Sequence, residues 1–234
     1  MATSELEKSA LIVGASRGLG LALAEEYLQR GWKVVATVRG DKKTELHALA
    51  AKSNGRLVVE KLDINEVSQI AALKGRLQKH RFDVLFVNAG VNNNPEEKIG
   101  EVSTEEFVRV MLTNSLSPMR VVENLESLVP KGGTIGVMSS GLGSVGANET
   151  GGYEVYRGSK AALNTFMRSF AARTASQARS LVIIAPGWVK TDMGGPNAPL
   201  TVSESIPRVV DTITAQTGQP GVRYLDYRGQ TVPW

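Results

Sequence analysis

The chain has 234 residues, of which 42% are hydrophobic and 21% charged, so it can bury the core of one large soluble domain. The absence of cysteine excludes disulfides and cysteine-based metal or nucleophile sites, and 27 basic against 23 acidic residues, without a long basic run, argue against a nucleic-acid partner. No apolar run approaches the roughly 20 residues that span a bilayer, and residues 1–10 hold no apolar signal core, so we expect a cytoplasmic protein without a membrane partner.

Short apolar runs alternate with helix-periodic segments along most of the chain. Strands are predicted at residues 10–13, 33–38, 56–62, 83–87, 133–139 and 180–185. Helices are predicted at 18–30, at 42–52, around the apolar repeat of 67–77, at 104–128 and at 154–174. Runs such as "LVIIA" are apolar at consecutive positions, which is typical of strands that are buried on both faces. The pattern predicts an α/β fold, a doubly wound parallel sheet of Rossmann type in a single domain over 1–234.

After Val189 the pattern loosens into "KTDMGGPNAPL", residues 190–200, which hold two glycines and two prolines. Loops beyond the carboxyl end of a strand often cover ligands in such sheets, so we expect a substrate lid at about 190–202. A further helix is predicted to begin near Ser203 as its N-cap. Ile206 then stands where a capping box would need Glu or Gln.

The segment "VGASRGLG", residues 13–20, follows the first predicted strand and opens the first helix. Small residues let the backbone approach a diphosphate, and the helix N-terminus offers N–H groups and positive partial charge. Glycines near a turn can also be turn chemistry alone, but this position in the fold favours a dinucleotide loop.

The end of the second strand, "ATVRGDKK", indicates which dinucleotide would bind. Thr37 stands where an NAD site would have a carboxylate for the ribose, while Arg39 follows and Arg17 lies in the glycine loop. Two guanidiniums suit the 2′-phosphate of NADP(H). Asp41 is the rival carboxylate, offset by the two lysines after it, and Arg39 as a solvated loop residue is the alternative interpretation.

The stretch "GGYEVYRGSK", residues 151–160, has two tyrosines that each precede a cation by four positions. Tyr156 and Lys160 would share a helix face, where the ammonium would lower the phenol pKa from about 10 and let it exchange a proton with a carbonyl oxygen. Such pairs are common on helix surfaces, so the spacing alone establishes nothing. Tyr153 falls at a loop–helix junction and Arg157 stays protonated, so that pair is interpreted as a cap or rim.

Taken together and in this order, the motifs of nearly the whole chain resemble those of the short-chain dehydrogenase/reductase superfamily. The matching segments are "GASRGLG" (14–20), "LDI" (62–64), "NAG" (88–90), "LTNSLSP" (112–118), "SSGLG" (139–143), "YRGSK" (156–160) and "PGWVKT" (186–191).

The resemblance implies a catalytic role for four residues. Tyr156 would be the general acid/base, and Lys160 would lower its pKa and bind the nicotinamide ribose. Ser140 would hydrogen-bond the substrate carbonyl, and it fits the S-x-x-G pattern of the family better than Ser139 does. Asn114 would hold a water that links Lys160 to solvent.

The resemblance also implies NADP(H) contacts along the chain, with Asp63 at the adenine and Thr191 at the carboxamide. The implied cofactor-binding residues are Gly14, Ser16, Arg17, Gly18, Leu19, Gly20, Arg39, Asp63, Ile64, Asn88, Ala89, Gly90, Tyr156, Lys160, Pro186, Gly187, Val189 and Thr191. Leu142, Val145 and Trp188 are candidate substrate-wall residues beside Ser140 by position only, with core packing as the alternative. No metal is expected, since the two histidines, His47 and His80, are far apart in the sequence.

Two departures from the family pattern stand out. Val13 replaces the threonine usual before the first glycine, which removes a hydroxyl that ties the turn to neighbouring backbone. Ser140 and Tyr156 are sixteen positions apart, and the extra residues "SVGANETGG" (144–152) suggest a pliable flap beside the pocket.

Within the superfamily, segments 186–205 and 224–234 are most similar to the C-factor and Sniffer-like carbonyl reductases. The resemblance implies an NADPH-dependent reductase of aldehydes or ketones, reversible toward secondary alcohols, with a small-molecule substrate and a homodimeric or homotetrameric assembly. A quinone reductase that uses the same tyrosine and an NADP(H)-binding signalling or redox-sensor protein are the alternatives.

Overall fold

The computed structural model describes residues 7–234, which form one seven-stranded sheet in which every strand pair is parallel. The strands are β1 (Ser9–Val13), β2 (Lys33–Val38), β3 (Leu57–Lys61), β4 (Val84–Val87), β5 (Thr134–Met138), β6 (Ser180–Ala185) and β7 (Gly221–Asp226). Their order is β3-β2-β1-β4-β5-β6-β7, so strands are added to one side of β1 up to β3 and to its other side from β4 onward. A crevice opens at such a switch point, beyond the carboxyl ends of the strands, and ligands bind there in doubly wound sheets.

Helices cover both faces of the sheet. They are α1 (Gly18–Gln29), α2 (Glu45–Ala51), α3 (Val67–Leu77), α4 (Thr104–Met111), α5 (Ser117–Leu125), α6 (Glu154–Arg173) and α7 (Val202–Ala215). Within residues 7–234, no helix is both long and apolar enough to cross a bilayer.

Two apolar clusters, one on each side of the sheet, form the core. Leu11 and Val13 of β1 belong to one cluster, while Ala10 and Ile12 belong to the other. Successive side chains of a strand point to opposite faces, so a strand buried on both faces needs apolar residues at every position. The predicted fold class and the six predicted strands are confirmed.

Three local features differ from the sequence prediction. The seventh strand, β7, was not predicted: it lies at the sheet edge and carries polar residues such as Arg223 beside the buried Tyr224. The predicted N-cap Ser203 is wrong, because Thr201 caps α7 and its hydroxyl accepts from the Glu204 amide in a complete capping box. The long helix predicted at 104–128 is divided by a π-helical turn at Leu112–Leu116.

Candidate active site

The predicted site residues converge at the carboxyl ends of the central strands. The glycine loop follows β1, the 88–90 segment follows β4, Ser140 follows β5, and the 186–191 segment follows β6. These strands are neighbours in the sheet, and β2, which pairs with β1 on its other side, brings Arg39 to the same edge. The fold therefore gathers segments that are distant in sequence into one crevice.

The glycine loop is packed so closely that side chains cannot be added at its first and last glycines. Gly14 has a φ of 86°, and a Cβ on it would lie 2.7 Å from the Cβ of Ala89. A Cβ on Gly20 would lie 2.0 Å from the Gly14 carbonyl oxygen and 2.6 Å from Nδ2 of Asn88. Asn88 Nδ2 in turn donates to the Gly14 carbonyl at 2.8 Å. The start of α1 is thus held against the segment that follows β4, at a distance that only glycine allows.

Thr37 supplies a contact that the sequence analysis missed. The Gly14 amide donates to Thr37 Oγ1 at 3.0 Å, and the Ala15 amide donates to the Thr37 carbonyl at 2.8 Å. Val13 has no hydroxyl to tie this turn to its neighbours, and the buried Thr37 of β2 supplies one instead. The sequence feature that could have indicated this contact is the threonine in the otherwise apolar run "VVATV" (34–38).

The two predicted phosphate-binding arginines have different surroundings. Arg39 is exposed and makes no ion pair or side-chain hydrogen bond with any residue of 7–234. Arg17 forms an ion pair with Asp192, which lies in the loop after β6. Asp41 is bound by Lys61 of β3, whose Nζ lies 2.6 Å from Oδ1, so the rival carboxylate is neutralised by a neighbouring strand.

The loop after β3 is fixed by the predicted adenine-side residue. One carboxylate oxygen of Asp63 accepts from the Asn65 amide at 2.9 Å, and the Asp63 amide donates to Gln69 at 2.8 Å. Ile64 beside it is buried in the core.

Lys160, Tyr156 and Ser140 lie together beside the end of β5. Lys160 is 3% exposed, and its Nζ donates to the Met138 carbonyl at 2.9 Å and lies 5.7 Å from the centre of the Tyr156 ring. Tyr156 is half-buried, and its hydroxyl lies close enough to the Ser140 side chain for that side chain to lower the Tyr156 pKa. Ser139 instead donates to Asn164 inside the core, at 2.7 Å, so Ser140 is the serine that faces Tyr156.

Burial dominates the electrostatics of this cluster. It raises the pKa of Tyr156 to about 12, against the lowering effect of the Ser140 hydrogen bond and together with a raising effect of Tyr224. Burial also lowers the pKa of Lys160 to about 8. Lys160 is not among the groups that shift the Tyr156 pKa here, so the lowering of that pKa by Lys160 stays a prediction. Tyr156 keeps its proton at neutral pH, as the predicted general acid would need to.

Asn114 lies in the π-helical turn and is fully buried. Its Oδ1 accepts from the Val91 amide at 2.8 Å, and its Nδ2 donates to the Val91 carbonyl at 2.8 Å and to Ser159 at 3.0 Å. A Cβ on Gly90 would lie 3.3 Å from Asn114 Oδ1 and 3.4 Å from Lys160 Nζ, so both side chains flank that glycine. That Asn114 holds a water linking Lys160 to solvent stays a prediction. Single π turns inside helices are frequent at functional sites.

The segment after β6 begins a loop whose base is closed by hydrogen bonds. The Lys190 amide donates to the Leu200 carbonyl at 2.8 Å, and the Leu200 amide donates to the Trp188 carbonyl at 3.2 Å. Gly187 has a φ of 85°, and a Cβ there would lie 2.5 Å from Leu200. Inside the loop, Thr191 Oγ1 accepts from the Gly194 amide at 3.0 Å. The predicted lid is thus a loop over 190–200 on a fixed base, and its movement stays a prediction.

Only two of the three candidate wall residues line a common groove. Leu142 and Val145 border it, with Arg157 and Ala161 of α6 opposite. Trp188, which is 54% exposed, does not border this groove, because its Nε1 donates to the Gly194 carbonyl at 2.7 Å across the 190–200 loop.

The second tyrosine–cation pair has a structural role, as expected. Tyr153 precedes α6 with a left-handed φ of 54°. The Arg157 guanidinium donates to the carbonyls of Gly152 at 2.9 Å and Gly151 at 3.0 Å. Arg157 thereby holds the end of the 144–152 flap against α6.

Tyr224 of β7, which the sequence analysis did not consider, also contacts Ser140. Its hydroxyl donates to the carbonyl of Ser140. It was missed because the edge strand that carries it was not predicted.

The strand order, the glycine loop and the Ser–Tyr–Lys cluster together define an oxidoreductase of the dinucleotide-binding α/β class. The family model for the short chain dehydrogenases matches residues 8–199. The chain therefore belongs to the short-chain dehydrogenase family.

Solved and curated relatives agree with this assignment. A short-chain dehydrogenase/reductase from Burkholderia multivorans with bound NADP is 58% identical and superposes with a TM-score of 0.96 over 98% of this chain and 100% of that one. The carbonyl reductase Sniffer of Drosophila melanogaster is 31% identical, with a TM-score of 0.87 over 98% and 100%. The C-signal protein of Myxococcus xanthus is 36% identical over 154 residues, which are 65% of this chain and 92% of that protein.

Proposed function

We propose that the protein is an NADPH-dependent reductase of aldehydes and ketones that also oxidises secondary alcohols. The observation that carries the proposal is the cluster of Ser140, Tyr156 and Lys160 beside the crevice, with the Tyr156 hydroxyl near the Ser140 side chain. Sniffer, a carbonyl reductase, and the Burkholderia protein, which binds NADP, support this reaction and this cofactor.

The residues present fit NADP(H). At Gly14 and Gly20 a Cβ would collide with neighbouring atoms, so the loop leaves its backbone bare for the diphosphate. Arg17 and Arg39 would hold the 2′-phosphate, Asp63 the adenine side, and the segments at 88–90 and 186–191 the nicotinamide half. When bound, NADPH supplies the hydride that the carbonyl carbon receives.

The protein's own groups handle the charge on the substrate oxygen. Ser140 donates a hydrogen bond to the carbonyl oxygen, and Tyr156 gives it the proton. The raised pKa keeps Tyr156 protonated at neutral pH, which suits the reductive direction. The Lys160 ammonium then lies beside the phenolate that remains, and a water held at Asn114 returns the proton from solvent.

The substrate would enter between the 190–200 loop and the 142–145 segment. Leu142 and Val145 would form one apolar wall, and the exposed Trp188 would close over the substrate when the loop moves. Such a wall would contact the apolar part of a carbonyl substrate.

We further propose a homodimer or homotetramer. Apolar side chains are exposed on α4, on the π turn and on α6, including Phe107 at 40% and Phe166 at 43%. Exposed aromatic side chains on neighbouring helices are typical of subunit interfaces.

The direct test is a panel of aldehydes, ketones and quinones assayed by NADPH oxidation, with NADH run in parallel. We expect turnover of aldehydes or ketones, with kcat/KM at least about 10-fold higher for NADPH than for NADH. Equal use of NADH would contradict the assignment of Arg17 and Arg39. Turnover of quinones alone would replace the carbonyl substrate class by that of a quinone reductase.

A signalling role is the second candidate, and the similarity to C-signal favours it. Purified protein that binds NADPH tightly but reduces no member of the panel would support this role instead of the reductase.

A further inference from the structure

We infer that Tyr224 is a positioning residue that holds Ser140 in its reactive orientation. The inference rests on the role proposed above for Ser140. Tyr224 is 1% exposed and comes from β7, whose edge position lets its side chain reach beneath the end of β5. Its hydroxyl donates to the Ser140 carbonyl.

Side chains bind the backbone carbonyls around Ser140 from several directions. Lys160 donates to the Met138 carbonyl at 2.9 Å, and Asn164 donates to the Gly143 carbonyl at 3.2 Å. Tyr224 takes the carbonyl of Ser140 between them. Side chains thus hold the turn that carries Ser140 at three carbonyls. The Gly143 amide also donates to the Ser140 carbonyl, at 2.9 Å, but it belongs to the turn itself, whereas the Tyr224 phenol comes from outside the turn.

The Ser140 side chain reports on this turn directly. Its Oγ accepts from the Leu142 amide at 3.1 Å and lies close to the Tyr156 hydroxyl. Both contacts depend on the orientation of the Ser140 backbone. Without the Tyr224 hydroxyl, the Ser140 carbonyl keeps only the Gly143 amide, which donates to it at 2.9 Å from within the same turn, so the peptide can rotate together with that turn.

The ring of Tyr224 is itself held in place. It packs on Trp234 with 5.6 Å between ring centres, and Arg168 lies 4.4 Å from the centre of the Trp234 ring. The Gly146 amide donates to the Trp234 carbonyl at 2.9 Å, which ties the 144–152 flap to the same group. A ring fixed on this side can place its hydroxyl with little freedom.

The first experiment compares Tyr224→Phe with Tyr27→Phe. Tyr27 is equally buried, but its hydroxyl has no hydrogen-bond partner among residues 7–234. The Leu142 amide donates to Ser140 Oγ, so its hydrogen exchange reports on the Ser140 turn. Exchange at Leu142 should be at least about 10-fold faster in Tyr224→Phe, which removes a contact to that turn, and unchanged in Tyr27→Phe. Unchanged exchange in Tyr224→Phe would overturn the inference, whatever the enzyme's activity.

The second experiment is a double-mutant cycle with Ser140→Ala. We expect Tyr224→Phe alone to lower kcat for carbonyl reduction about 10-fold, with the KM for NADPH unchanged, and to cost less than about 2-fold in the Ser140→Ala background. Additive losses, or a kcat equal to that of the wild type, would contradict action through Ser140. A wild-type protein without reductase activity would instead refute the proposed function, and hydrogen exchange would still decide the role of Tyr224.

Discussion

The ammonium of Lys160 lies 5.7 Å from the centre of the Tyr156 ring and donates to the Met138 carbonyl rather than to the phenol. The two side chains share one face of α6, yet burial shifts both pKa values toward the neutral forms. At neutral pH the protonated Tyr156 phenol therefore lies beside the Lys160 ammonium, which burial has partly desolvated. The Tyr156 phenol is thus protonated in the protein alone, as the proposed proton transfer requires.

The stability of the protein should record the cost of burying Lys160. Its pKa falls from an ordinary value of 10.5 to about 8, so the unfolded chain binds the extra proton between these two pH values. Stability then rises with pH in this window. Relative to Lys160→Met, the wild type should gain about 2 kcal/mol in free energy of unfolding between pH 8 and 10, measured by urea denaturation. A difference between the two proteins that stays constant with pH would contradict the lowered pKa.

Replacing Arg39 by serine should weaken NADPH binding without weakening NADH binding. Loss of a charged hydrogen bond to the 2′-phosphate should raise the dissociation constant for NADPH about 10- to 100-fold. Lys42→Ser removes a nearby exposed cation and is the control, with a change of less than about 3-fold. Equal effects of Arg39→Ser on both cofactors, measured by fluorescence titration, would show that Arg39 does not recognise the phosphate.

Gly20→Ala should damage the cofactor loop. The new Cβ would lie 2.0 Å from the Gly14 carbonyl oxygen, so the start of α1 must move away from the loop. We expect a loss of about 1–3 kcal/mol in stability and at least about a 10-fold loss of NADPH affinity. Gly75→Ala, in open space on α3, is the control and should be neutral or slightly stabilising. Wild-type affinity in Gly20→Ala would mean that the loop does not hold the diphosphate.

Phe166→Glu should reduce the size of the assembly in sedimentation velocity experiments. The side chain is 43% exposed on α6, and a carboxylate there would have to be desolvated in a subunit interface. Val58→Glu, at a 49% exposed position on β3, should leave the assembly unchanged. If both variants sediment like the wild type, Phe166 lies outside any interface.

Burial explains which features were predictable from the sequence. The five inner strands carry apolar residues at nearly every position, because both faces are covered, and that signal is strong. The edge strand β3 was predicted from its short apolar run at 57–59. The edge strand β7 has one neighbour and mixes Arg223 with Tyr224, so neither an apolar run nor strict alternation marks it. Tyr224 could not be considered for the site without that strand.

The candidate site was predictable in position but not in its energetics. The motifs place Ser140, Tyr156 and Lys160 by their order along the chain, and the structure brings them together. The sign of the Tyr156 pKa shift depends on how much protein surrounds the phenol, which helical spacing does not reveal. Thr37 illustrates the same limit, since its bond to Gly14 depends on the pairing of β1 with β2.

The central claim is that the proton of the Tyr156 phenol is delivered to the carbonyl oxygen, and Tyr156→Phe tests it most directly. We expect kcat for carbonyl reduction by NADPH to fall by at least about 100-fold, while the dissociation constant for NADPH changes by less than about 3-fold. Tyr153→Phe, the variant at the neighbouring tyrosine, should keep most of the wild-type kcat. A Tyr156→Phe enzyme that turns over at the wild-type rate would contradict the account.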